Sequence, residues 1–89
     1  MVHQANVKRY PGTLADLAEE VGDLRYDALA EFLRLLHAKL DRDASQDEGR
    51  GRFRLAGSLR AAARPLGEAA TAIQRAWRIC EPHMTGEAT

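Results

Sequence analysis

Cysteine is nearly absent: the 89 residues include one, Cys80, which excludes an intramolecular disulfide and fits a reducing compartment. Aromatic residues are scarce as well. Tyr10, Tyr26, Phe32, Phe53 and Trp77 make up 6% of the chain, so any core is built mostly from aliphatic side chains. No apolar run approaches the roughly eighteen residues that cross a bilayer, and the stretch MVHQANVKRYPG lacks the apolar segment of a signal peptide. A cytoplasmic protein with no membrane partner is the expectation. Neither sign of charge dominates, with a formal net charge of zero and a pI near 6.8, which argues against nucleic acid as a partner. What is present is an ordinary globular balance, 45% hydrophobic and 29% charged. Chains of this length bury only about 60% of their unfolded surface, and without a disulfide the common remedy is association.

The zero net charge conceals an asymmetry. From Leu14 to Glu48 ten acids stand against Arg25, Arg34, Lys39 and Arg42, whereas from Gly49 to Cys80 seven arginines stand against Glu68 alone. Halves of opposite sign attract each other across a hairpin or between subunits, without any ligand.

Periodicity predicts an all-α chain. Residues 1–12 have no periodicity and read as a flexible arm, 13–81 as a single helical domain and 82–89 as a disordered tail. Thr13 is placed to cap a first helix with Asp16 at its third position, and Leu14, Leu17, Ala18 and Val21 form its apolar stripe. Gly22-Asp23 predicts a break or kink, with Asp23 capping the second helix. That second helix is expected over Leu24–Asp43, a stretch without glycine, proline or β-branched residues. Its apolar positions spread over an arc of roughly 200°. Ser45-Gln46-Asp47-Glu48 has the form of a capping box and predicts a turn near Ala44. The third helix is then expected from about Gln46, or from Phe53, to Cys80, where Glu81-Pro82 is expected to stop it. Leu55, Leu59, Ala62, Leu66, Ala69, Ile73, Ala76 and Cys80 form its predicted seam. Pro65 predicts a kink, and a turn at Ala44 would set that kink opposite Gly22-Asp23.

Motifs that carry chemistry are few. Glu-Glu-Val-Gly-Asp-Leu, Glu19 to Leu24, resembles the second half of the metal-binding signature of the all-α NTP pyrophosphatases. The resemblance covers six residues and implies Mg²⁺ held by Glu20 and Asp23. That chemistry needs a second pair of carboxylates from an earlier helix, and residues 1–15 contain no acid. A degenerate protein of that kind is therefore the remote alternative. Cys80 and His83 make one Cys-x-x-His pair, short of the four ligands of a structural zinc, and His3 and His37 are isolated. No catalytic, metal or cofactor residue is assigned.

Two constellations remain. Leu29, Phe32, Leu33, Leu36 and Leu40 give the second helix more apolar surface than one partner helix covers. Arg50, Arg54, Arg60, Arg64, Arg75 and Arg78 fall within an arc of about 120° on the third helix, opposite its seam. They are candidate contacts for anions or another protein, and pointing away from the core they are not expected to reach their own hairpin partner. The expected architecture is an antiparallel helical hairpin, a short first and long second helix against a long kinked third, two copies closing into a four-helix bundle through the leucine strip. A monomeric three-helix bundle is the alternative. The expected function is a non-enzymatic structural or protein-interaction module acting as a homodimer; the alternative is a nucleic-acid or anion-binding accessory protein using the arginine stripe.

Overall fold

The computed structural model describes residues 3–86, with side chains through 83. Three helices and no strand occur among them: α1 (Leu14–Gly22), α2 (Tyr26–Gly49) and α3 (Phe53–Gly86). The expected tail residues 87–89 lie outside the described residues.

The start of α1 follows from its capping box. Asp16 N–H donates to Thr13 Oγ1 at 3.0 Å and Thr13 N–H to Asp16 Oδ2 at 3.3 Å, satisfying two groups that a helix N-terminus leaves orphaned. At its other end the chain breaks after Gly22, but Asp23 is not a cap for α2. Asp23 sits at φ −86° and ψ −1° and closes α1, its N–H directed to the carbonyls of Glu19 and Val21. The residue before α2 is Arg25, whose side chain makes no capping bond. Asp27 takes over that work from inside the helix, its Oδ1 accepting from Ala28 N–H at 2.8 Å.

The capping box expected at Ser45–Glu48 is also overturned, since α2 continues through it to Gly49. The turn lies at Arg50–Arg52, where glycine permits it. Gly51 has φ +79°; its N–H donates to the Glu48 carbonyl at 3.0 Å, and Arg52 N–H donates to the Asp47 carbonyl at 2.8 Å. This is the paired bonding of a Schellman motif, which needs a left-handed residue after the helix and therefore favours glycine. Arg52 Nη1 also lies 3.2 Å from Asp47 Oδ1.

Moving the turn from Ala44 to Gly51 moves every pairing across the hairpin. Pro65 now comes level with His37 rather than with Gly22-Asp23. His37 Nδ1–H donates to the Ala63 carbonyl at 2.6 Å, and its ring covers Gly67, where an added Cβ would lie 3.5 Å from it. Helix α3 runs unbroken through Pro65 and also through Pro82 to Gly86, so Pro82 does not stop it. Proline costs a helix one backbone donor and a steric contact one turn back, and both prolines stand on exposed positions, where water can serve the carbonyl that loses its partner.

Helices α2 and α3 pack on each other along an alanine seam. The buried apolar residues are Ala30 and Ala44 from α2 and Ala56, Ala63 and Ala70 from α3, and no large side chain is fully buried. Both sets repeat every seven residues, with His37 at the middle position of the α2 set. Ala62 of the predicted seam is exposed, whereas Leu59, Leu66 and Ile73 are half-buried on one flank. Small residues at a helix contact let the axes approach closely. Each buried methyl contributes only about 0.8 kcal/mol, so the flanking leucines matter more, and they are only partly covered.

The result is a slab 53 × 29 × 14 Å, one helix thick. Its radius of gyration is 16.1 Å, against about 12 Å for a compact domain of this length. Helix α1 lies at the edge with no buried residue.

Candidate interaction faces

A one-layer slab has two broad faces, and the sequence makes them unlike. At 100° per residue, the leucines of α2 (Leu29, Leu33, Leu36, Leu40) and of α3 (Leu55, Leu59, Leu66, with Ile73) fall on the same side of the seam. His37, Asp41, Arg60, Arg64, Gly67, Glu68 and Thr71 line a depression of about 440 Å³ on the other side.

On the apolar face, the five leucine-strip residues are brought together but not covered. Phe32 is 40% exposed and Leu36 37%, while Leu29, Leu33 and Leu40 are half-buried. Where α1 meets α2, Leu14, Leu17, Ala18, Val21 and Gly22 enclose a hollow of about 360 Å³ with Leu29 and Phe32, with no polar side chain in its lining. Leu14 remains 58% exposed. Helix α1 thus presents its stripe beside that of α2 and widens the apolar surface instead of closing it.

The arginines divide differently. Arg60, expected to point away from its hairpin partner, reaches across to α2: its Nη2 lies 3.2 Å from Glu48 Oε1 and 3.3 Å from Ser45 Oγ. Arg50 is not part of the α3 stripe, since it follows α2 as its C-terminal cap in the turn; neither it nor Arg54, Arg64, Arg75 and Arg78 makes an ion pair among the described residues. Half-exposed Arg60 illustrates why a wheel misleads here: rotating α3 to bury Ala56, Ala63 and Ala70 carries this arginine toward α2.

Two contacts carry no clear signal in the sequence. His37, isolated in the sequence from any other histidine or cysteine, is the cross-brace of the hairpin, with Nε2 3.3 Å from Asp41 Oδ2 on the next turn. At the opposite end Arg25 lies 5.4 Å above the Trp77 ring and pairs with Asp27 at 2.6 Å, tying the start of α2 to α3. The Asp27 hydrogen bond and charge raise the Arg25 pKa, and the Arg25 hydrogen bond lowers that of Asp27. The heptad step from Ala70 to Trp77 becomes informative only once the true seam is known.

Of the residues in the pyrophosphatase-like stretch, Glu20 accepts a hydrogen bond from the Tyr10 hydroxyl, which raises the tyrosine pKa, and Asp23 closes α1. Among the described residues no three His, Cys, Asp or Glu side chains converge as a metal site would require. Cys80 is half-buried, with its thiol 3.7 Å from the Trp77 carbonyl, and His83 is exposed. No helix among the described residues is long and apolar enough to cross a membrane.

Comparison with known proteins adds no relative: no family model, no curated protein and no solved structure matches the chain.

Proposed function

We propose that this chain is a non-enzymatic helical interaction module whose working unit is a homodimer, formed by two hairpins laying their apolar faces together as a four-helix bundle. The observation that carries this reading is the uncovered leucine face. The chain exposes 6936 Å², roughly 1,800 Å² more than a compact monomer of its mass. A stable dimer needs about 800 Å² from each partner, so the excess is large enough to supply it. Exposed apolar side chains gathered on one face mark an interaction site on a soluble protein, and Phe32 and Leu36 of that face are 40% and 37% exposed. A second copy is the occupant favoured by charge. The net charge of zero imposes no overall repulsion between copies, and the face offers leucine to leucine, as a two-fold interface requires.

Sedimentation equilibrium tests the reading directly. A species of twice 9.8 kDa at micromolar concentration supports it, and a clean 9.8 kDa species at 100 µM overturns it.

The guanidinium groups of Arg54, Arg64, Arg75 and Arg78, without an ion pair among the described residues, favour a second reading, an anion-binding accessory role, because arginine is suited to planar bidentate recognition of carboxylate and phosphate. Binding to random-sequence DNA that weakens steeply with salt would support it; no retention at low salt would remove it.

A further inference from the structure

The apolar face is not wholly bare. The non-helical segment before α1 reaches its turn end, where His3 shares a hollow of about 290 Å³ with Leu40, Leu55 and Leu59 and with polar side chains at their rim, Asp43, Asp47 and Arg52 among them. The same segment is fastened beside α1. There the Tyr10 hydroxyl donates to Glu20, Tyr10 N–H donates to the Val7 carbonyl at 3.2 Å, and the tyrosine ring folds back so closely on Gly12 that a Cβ there would lie 2.7 Å from Tyr10 Cε2. From Tyr10 to His3 the chain spans at most about 25 Å, and its two ends lie against α1 and against the turn end of the hairpin.

We propose that the segment His3–Tyr10 is an intramolecular strap over the turn end of the apolar face, which must lift before a second copy can seat there. This rests on the homodimer reading above and adds its regulation. The strap is built to lift. It has no regular structure, its Val7 is 44% exposed, and it is held by the short turn from Tyr10 N–H to the Val7 carbonyl and by the side-chain bond to Glu20. Few buried contacts and exposed backbone bonds characterise segments that open at low cost. The leucines beneath it belong to the face that the dimer would use, so strap and second copy compete for the same surface, and releasing the strap raises the fraction of association-competent chains.

The test is made on the full-length chain with His3→Ser, Val7→Ser and Tyr10→Phe combined, which removes the end contact, the apolar side chain and the bond to Glu20 while leaving α1, α2 and α3 untouched. Two readouts are compared with wild type: the dimer dissociation constant by sedimentation equilibrium, and binding of an apolar fluorescent dye at concentrations where the chain is monomeric. The expected result is at least threefold tighter association together with increased dye binding. Unchanged dye binding and an unchanged or weaker dimer would overturn the strap and leave the dimer standing. Increased dye binding with neither chain associating would overturn the dimer and its regulation, and leave the segment as a cover for the face.

Discussion

Gly51 and Gly57 look alike in the sequence and are opposite in the structure. Gly51 has φ +79° and no atom crowding the place of a Cβ, so any cost of adding a side chain there is backbone strain alone. Gly57 lies inside α3 at an exposed position with nothing within 4 Å of an added Cβ, and in a helix alanine is better than glycine by about 1 kcal/mol. Gly51→Ala should therefore destabilise the hairpin by about 1 kcal/mol or more, and Gly57→Ala should stabilise it by about 0.5 to 1 kcal/mol. Chemical denaturation of the two variants beside wild type checks both; a stabilising Gly51→Ala would mean that the Schellman turn is not where α2 ends. Thr13 was readable from sequence because its partner Asp16 is three residues away and both bonds are local. The turn was not. Ser45–Glu48 satisfies the local pattern of a cap equally well, and only the packing of Ala44 into the seam, a contact with the other helix, keeps α2 going past it.

The same competition between local pattern and tertiary contact decides the face of α3. Its sequence carries two alanine columns one position apart, Ala62-Ala69-Ala76 and Ala56-Ala63-Ala70, and hydrophobicity alone prefers the first because it alternates with Leu55, Leu59, Leu66 and Ile73. The second is the buried one. It lets the helix axes approach, brings the Ala63 carbonyl under His37 and places Trp77 beneath Arg25, none of which a single-helix pattern contains. That three helices form, and which leucines share a side, is legible from spacing; the rotation of one helix against its partner is not. The two columns make opposite predictions for a pair of substitutions. Ala63→Leu should cost about 1 to 3 kcal/mol, since the seam has no room for three more carbons, while exposed Ala62→Leu should stay within about 0.5 kcal/mol of wild type. Thermal unfolding of both settles which column faces α2, and equal losses would refute the seam.

At the scale of the whole molecule, a slab one helix thick has no interior to spare, and its leucines are only partly covered by the chain itself. The leucine strip was foreseeable from the mismatch between an arc of roughly 200° on the second helix and the single helix available to meet it. The contribution of α1 was not, because its stripe reads equally well as a third wall of a closed bundle, and only the open hollow with Leu29 and Phe32 shows that it fails to close one. Leu36 lies in that strip and is 37% exposed, so in a lone chain an aspartate at this position can turn its carboxylate to water. In a face-to-face dimer it cannot, and an unpaired buried charge costs about 3 kcal/mol or more, above a hundredfold in Kd. Leu36→Asp should accordingly leave the helix content and the unfolding midpoint of the dilute chain nearly unchanged while abolishing association at micromolar concentration. Circular dichroism at low concentration and sedimentation equilibrium at high concentration separate the two effects. A variant that unfolds when dilute would place Leu36 in the core of the monomer, and one that still associates as wild type would place the interface on the other face of the slab.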